Sequence, residues 1–341
     1  MATTLISDID DIVFSADLEV IQMTSDSSPV TVTVCDSSGV ALMSTNLYPL
    51  ANGSVTLYDI AKLIDNSLGD SPAGLFSVRV QGAAICTMTV IRSAVKLSLP
   101  ASEWISSRFL TSMTEERDTA SGRLEILSCY DPTGKACTAD CIYIDSDGLL
   151  AHASVTVPVA ETVGDVKTYD VSPHKFARTG YELVHYTVKA GGMTQRYRVI
   201  LSPLPVGQSF IFRNNFSCWE TLHCVGEITS DPQFSRQAYM VNGRFEAYDV
   251  GETDSTTAST GVMRFGSERL VRDFARSKDT YLLNSDGSRG ERIVVNDCTV
   301  RATNADDFNP QFSFTYRLSH KGAADLDGFR VFDNTFDATY E

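Results

Sequence analysis

The sequence contains no long uninterrupted run of apolar residues, and its N-terminus is neither basic nor strongly hydrophobic. A membrane-spanning helix needs about 20 predominantly apolar residues, so we expect no membrane span. A signal peptide joins a positively charged start to an apolar stretch, and the first residues, Met1 to Asp11, provide neither. The sequence therefore predicts a protein that is made in a cytoplasm and keeps its N-terminus.

Basic residues are also scarce in this chain. Its 28 Lys and Arg residues stand against 43 Asp and Glu residues, which gives a net charge of −15, and no region has a basic balance. Proteins that bind nucleic acid usually carry a clustered excess of Lys and Arg. We therefore expect no nucleic-acid partner.

Motifs that bind phosphates, dinucleotides or catalytic zinc are absent, and so is the glycine-flanked pattern of a serine nucleophile. Only five histidines are present, which leaves few candidates for a general base. The sequence predicts a protein that is not an enzyme, with no catalytic residue and no cofactor. A glycoside hydrolase-like enzyme that assembles its acids from distant strands stays open as an alternative.

The eight cysteines are scattered along the chain, unlike those of a small disulfide-rich domain. We expect mostly reduced, buried thiols. The best metal candidate is the group Cys129, Cys137 and Cys141, because a turn at 131–134 would fold the intervening chain back, with His152 as a conceivable fourth zinc ligand. Buried thiols, or a disulfide formed in an oxidising exterior, are the alternatives.

A second group, Cys218, His223 and Cys224, is a weaker metal candidate. His223 and Cys224 are neighbours on a predicted strand, so their side chains point to opposite faces. Extended chain also separates Cys218 from Cys224 by about 20 Å at 3.3 Å per residue. These residues cannot share an ion unless the chain turns between them.

Alternation of apolar and polar residues is, by contrast, plentiful. Val30–Cys35 alternates strictly, a strand is expected at 108–113, and the stretches 181–189 and 193–201 flank a glycine-containing turn in the manner of a β-hairpin. Asn242-Gly243 indicates a further hairpin, because this dipeptide suits a type I′ turn. The sequence predicts an all-β fold of three β-sandwich or barrel-like modules in tandem.

Two short helices are expected to interrupt the strands. Residues 59–68 and 268–277 each place apolar side chains on one helical face, and Asp59 is placed to cap the first helix. The pattern resets near Pro100 and at the proline-containing stretch 202–207. The predicted domains are an N-terminal β-sandwich (1–97), a second β-sandwich (98–204), a C-terminal β domain with one helix (205–322) and an extended C-terminal arm (323–341).

Aromatic side chains recur between acids in the C-terminal arm. The expected interaction residues are Phe329, Phe332, Phe336 and Tyr340. The Asp, Asn and Thr content of this stretch favours an extended arm over a helix. We predict that the arm docks on a neighbouring subunit or on the chain's own third domain.

An exposed aromatic platform would instead indicate carbohydrate binding. Trp104 and Trp219 are the two tryptophans that could form such a platform. A surface adhesin or glycan-binding β-sandwich protein is therefore the alternative function.

The last third of the chain resembles uncharacterised tail-associated structural proteins of tailed phages and prophages of gut bacteria. The resemblance is carried by Phe210–Phe216, Trp219–Leu222, the predicted helix 269–277, Phe312–Arg317 and the terminal stretch Arg330–Tyr340. It implies a virion structural protein of the tail or baseplate. Its expected partners are copies of itself and other virion structural proteins, with a host surface glycan or protein as a further expected partner.

Overall fold

The computed structural model describes residues 3–7, 9–202, 207–242, 244–300 and 310–319. Strands dominate these residues, and the α-helices among them are short: α1 (Ile60–Leu68), α2 (Ala101–Ser107) and α3 (Glu268–Arg276). The predicted all-β, sandwich-like class is confirmed. The barrel-like alternative is wrong for the described sheets, because each of them is open at both edges. No helix among these residues is long and apolar enough to cross a membrane.

Two sheets pack face to face in the N-terminal region, in the orders β1-β3-β6 and β2-β8-β7-β4-β5. Val30, Val32 and Val34 are buried between them, while Thr31 and Thr33 face outward and bond to polar groups on the adjacent strand. The strands are β1 (Thr3–Leu5), β2 (Ile12–Phe14), β3 (Val20–Ser25), β4 (Val30–Cys35), β5 (Ala41–Leu47), β6 (Ser54–Tyr58), β7 (Ala73–Val80) and β8 (Ala83–Ile91).

The middle region also has two sheets, in the orders β12-β11-β15-β16-β9 and β10-β14-β13. Its predicted hairpin is confirmed as β15 and β16, which meet at Ala190 and Met193 and stack the rings of Tyr186 and Tyr197 4.6 Å apart. The strands are β9 (Arg117–Thr119), β10 (Ile126–Tyr130), β11 (Cys137–Asp145), β12 (Leu150–Thr156), β13 (Val159–Val163), β14 (Val166–Asp170), β15 (Tyr181–Ala190) and β16 (Met193–Val199).

The C-terminal region contains one seven-stranded sheet, in the order β18-β17-β23-β24-β25-β22-β19, and the separate two-stranded pair β20-β21. Helix α3 buries Leu270, Val271 and Phe274 against the larger sheet. The strands are β17 (Gln208–Arg213), β18 (Trp219–Cys224), β19 (Ile228–Ser230), β20 (Gln233–Val241), β21 (Arg244–Thr253), β22 (Thr256–Val262), β23 (Thr280–Leu283), β24 (Arg289–Thr299) and β25 (Gln311–Leu318).

Some local predictions are corrected by the structure. The two predicted helices are confirmed as α1 and α3, but the Asp59 side chain makes no capping hydrogen bond, and this residue adopts a left-handed conformation. Helix α2 was not expected from the sequence. The predicted strand at 108–113 is not a strand, because Phe109 and Leu110 enter different apolar clusters instead of joining a sheet.

A shared apolar core joins the three regions, although no described sheet mixes strands from two of them. Phe14 of the N-terminal region, Trp104 of α2 and Phe216 of the β17–β18 turn pack together with ring centroids 5.7 to 6.3 Å apart. These three residues are 0%, 4% and 0% exposed. The segment after Pro100 therefore leads directly into a helix that is packed at the junction of the regions.

Candidate functional site

The three cysteines of the zinc candidate lie in the apolar core of the middle region. Cys129, Cys137 and Cys141 are each at most 2% exposed, and all eight cysteines of the chain are free. Burial raises the pKa of the Cys129 thiol to about 11 and that of Cys137 to about 12. Zinc binds the thiolate form, which this setting disfavours.

The suggested fourth zinc ligand, His152, lies on the wrong face of the sheet. It is exposed on β12 and opposes Ile142, whereas Cys141 points into the core from the other face of β11. Within the described part of the chain, no group of three His, Cys, Asp or Glu side chains could hold a metal ion. The buried-thiol interpretation describes these cysteines better than the zinc interpretation.

Neither tryptophan offers a free platform for a sugar. Trp104 is buried in the shared core, where its indole N–H donates to the carbonyl oxygen of Phe109 at 3.1 Å, so its candidacy was wrong. Trp219 is only partly buried, but the guanidinium carbons of Arg213 and Arg289 already lie 4.5 and 3.9 Å from its ring centroid. Cation–π pairing therefore occupies the ring that a sugar would need.

The predicted interaction residues of the C-terminal arm lie outside the residues that the structure describes. They are Phe329, Phe332, Phe336 and Tyr340.

A buried polar cluster, which we call the junction network, lies beside the shared core. It consists of Thr111, Arg117, Asn214, Glu220 and Asp273. Arg117 and Glu220 form an ion pair, and the Glu220 carboxylate also accepts hydrogen bonds from Thr111 at 2.7 Å and from Asn214 at 2.8 Å. Burial alone would lower the pKa of Arg117, but Glu220, with smaller contributions from Tyr197 and Glu125, more than offsets this effect and raises that pKa. The network thus connects a strand of the middle region to two segments of the C-terminal region.

Asp273 brings a second buried carboxyl group to the junction network. This residue of α3 is 3% exposed and accepts a hydrogen bond from the Ser112 hydroxyl at 2.9 Å. Burial, with a further contribution from the nearby Glu220 charge, raises the pKa of Asp273 to about 7. It also borders a groove of about 520 Å³ between α1 and α3, which contains Arg92 and Arg213. Through the bond to Ser112, Asp273 connects α3 to the segment between α2 and β9.

A serine–histidine–carboxylate arrangement, which sequence reasoning missed, lies beside the junction network. Ser209 Oγ is 2.8 Å from His223 Nδ1, and His223 Nε2 is 3.6 Å from the Glu125 carboxylate. His223 Nε2 is also 3.0 Å from the carbonyl oxygen of Leu124. Because a carbonyl only accepts, Nε2 carries the proton, and the Ser209 hydroxyl donates to Nδ1. Ser209 and His223 line a groove of about 350 Å³.

The electrostatics of this trio do not produce an activated serine. Burial, reinforced by the charge of Arg123, lowers the pKa of His223 to about 3, far from the value near 7 that suits a general base. Burial also raises the pKa of Glu125, which weakens its ability to support an imidazolium. We therefore interpret the trio as structural hydrogen bonding between β17, β18 and the segment before β10.

Strands β20 and β21 form a pair that we call the projecting hairpin (Gln233–Thr253). The backbone register of β19 with β22 continues unchanged into this pair, and Asp231 N–H bonds to Ser255 C=O at 2.8 Å between the two ladders. The hairpin is therefore an extension of the last two strands of the seven-stranded sheet. Among the described residues, no third strand pairs with it.

Large apolar side chains on the projecting hairpin are exposed. Phe234, Met240 and Phe245 are 57%, 62% and 75% exposed. Met240 and Phe245 are direct cross-strand partners, and Phe234 lies six residues before Met240, so all three belong to one face of the hairpin. The Asn-Gly turn predicted this hairpin correctly. The sequence did not indicate that the hairpin would extend beyond the other strands of the described sheet.

The chain matches no known protein-family model and no curated protein. Among solved structures, it is similar to a Salmonella alpha-2-macroglobulin mutant at 10% identity and a TM-score of 0.21, covering 87% of this chain and 24% of that one. A tetra-tandem repeat from the extending region of a large adhesion protein gives 11% identity, a TM-score of 0.20 and coverages of 92% and 80%. A structure of a 1.5-MDa bacterial ice-binding adhesin is 13% identical with a TM-score of 0.16, and the match covers 76% of this chain and 92% of that one. At these TM-scores the likenesses assign neither a family nor a function.

Proposed function

We propose that this protein is a structural component that assembles with copies of itself, and that it serves in the tail or baseplate of a phage virion. The observation that carries the proposal is the projecting hairpin. Although it continues two strands of the larger sheet, the pair has no third described strand beside it, and two strands without such support are at best marginally stable in water. It also exposes an apolar face. Packing against another subunit would bury that face and stabilise the pair.

The body of the protein suits such a role. The shared core and the junction network hold the three regions together, so the chain presents the hairpin from one connected scaffold. The resemblance of the last third to phage tail-associated proteins supports the virion as the location, with copies of the chain and other virion proteins as partners. The low pKa of His223 weighs against a serine-based enzymatic mechanism at Ser209, His223 and Glu125.

Self-assembly is tested by measuring the molar mass of the full chain by light scattering over a range of concentrations. We expect oligomers. In a matched variant, residues 233–253 are replaced by a two-residue turn, which the hydrogen bond between Asp231 and Ser255 should tolerate. This variant should keep its strand spectrum, because the hairpin supplies none of the residues of the described apolar cores, and it should be monomeric. A full chain that stays monomeric would refute the proposal.

The virion location is tested separately. Particles purified from the bacterial host that encodes the chain should contain this protein by mass spectrometry, in a copy number typical of tail components. Its absence from purified particles would contradict the virion role while leaving self-assembly untouched.

A further inference from the structure

The apolar face of the projecting hairpin needs an occupant, and the direction of β25 indicates one. Strand β25 pairs with β22, and the pair nearest the hairpin joins Tyr316 to Thr256. The last residue of β25 is Leu318. Ser319 still donates its backbone N–H to Arg292 on β24 at 2.8 Å. The chain therefore leaves the sheet beside the root of the hairpin.

The length of the stretch 320–328 can be compared with the length of the projecting hairpin. If the register of β25 with β22 is extended along β21, residue 329 becomes level with the turn after Val241. Residues 320–328 contain two glycines, two alanines and two aspartates, a composition that is poor in strand formers. They can span about 30 Å at 3.3 Å per residue, close to the length of the ten-residue strand β21.

In such an extended arrangement the aromatic residues would start level with the end of the chain's own hairpin, which favours contact with a different copy. The arm supplies Phe329, Phe332, Phe336 and Tyr340. The receiving face supplies Phe234, Met240 and Phe245, together with the exposed Arg236 in the same row of β20. Both segments are rich in large apolar side chains, and this shared apolar character is what matches them.

We propose that residues 329–340 of one copy cover the apolar face of the projecting hairpin of a second copy. This inference rests on the proposed function and names the partner of the hairpin. An interface of this kind joins two different surfaces, so each copy gives an arm to one neighbour and receives an arm from another. Such head-to-tail contacts close into rings or continue as filaments, which are the forms expected of a tail component.

The test places a photoreactive benzoylphenylalanine at position 245 of the full chain. Isotopically heavy and light chains are mixed, dissociated and reassembled before irradiation, and the crosslinked peptides are identified by mass spectrometry. We expect crosslinks from position 245 to residues 329–340, with heavy–light pairs as frequent as random mixing allows. Crosslinks only within one isotope would show that the arm folds back on its own hairpin, and crosslinks to any other segment would identify a different occupant. Either result overturns the proposal.

The same probe at position 50 provides the matched control, because Leu50 is 68% exposed but belongs to the N-terminal region. It should give no crosslink to the arm. A variant that ends at Ser319 separates this inference from the proposed function. If the full chain is oligomeric and the truncated chain is a folded monomer, both stand. If the truncated chain remains equally oligomeric, self-assembly stands and the arm contact is refuted. A monomeric full chain refutes both.

Discussion

The junction network buries charged side chains, whereas the projecting hairpin exposes apolar ones. At the junction, Arg117 and Glu220 are 5% and 1% exposed and are surrounded by hydrogen-bonding partners from two regions. On the hairpin, Met240 and Phe245 are 62% and 75% exposed and face each other across the two strands, with which no other described strand pairs. Buried charge at the first site holds the scaffold together. Exposed apolar surface at the second leaves stabilisation to be gained from a partner.

This difference predicts that mutations at the two sites will separate stability from assembly. A large loss of stability is expected for Glu220→Leu, which leaves the Arg117 charge buried without its partner. We expect the free energy of unfolding in urea to fall by about 3–5 kcal/mol. The exposed ion pair of Lys189 with Asp140 is the control, and Lys189→Ala should cost no more than about 1 kcal/mol. Equal effects at the two sites would contradict the structural role of the junction network.

A second prediction addresses the shared core. Trp104→Ala removes a buried ring that contacts both Phe14 and Phe216, together with its hydrogen bond to Phe109. We expect a loss of about 3–5 kcal/mol. Tyr48→Ala, at a side chain that is 73% exposed, should change stability by about 0.5 kcal/mol or less. If Trp104→Ala were equally mild, the three regions would not depend on a common core.

The third prediction concerns pH. Because the folded-state pKa of Asp273 is raised to about 7 from 3.8, folded protein holds this proton at pH values where unfolded chain has lost it. Stability should therefore decline as pH rises from about 4 to 7, by at most about 4 kcal/mol for this group, and level off above that range. Asp273→Asn keeps an acceptor for Ser112 but cannot ionise, so its urea midpoint should lack this decline. An unchanged pH profile in Asp273→Asn would show that Asp273 is not the responsible group.

The smallest effect on stability is expected at the hairpin, where the effect on association should be complete. Phe245→Asp places a charge on the exposed face, and the free energy of unfolding should change by about 0.5 kcal/mol or less. Sedimentation velocity should nevertheless show loss of the oligomer. Tyr48→Asp, on an exposed apolar residue of the N-terminal region, should leave association intact. If Phe245→Asp instead unfolded the protein, the hairpin would belong to the scaffold and not to the interface.

Local patterns in the sequence predicted much of the secondary structure. The alternation at Val30–Cys35, the hairpin of β15 and β16 and the Asn-Gly turn of the projecting hairpin are all confirmed, because each depends on neighbours in the chain. Helix α2 escaped prediction because it is short and depends on the burial of Trp104 among distant residues. The same burial removes Trp104 from consideration as a carbohydrate platform.

The sequence by itself determined the β-rich class, the two helices α1 and α3 and the scarcity of catalytic motifs, since these depend on residue type and short-range periodicity. Only the tertiary structure decided which groups are brought together. Arg117 and Glu220 are more than 100 residues apart, as are Ser112 and Asp273, so their pairing follows from how the sheets pack. The exposure of Met240 and Phe245 is likewise a tertiary property, because an apolar strand residue is buried only when another surface lies over it.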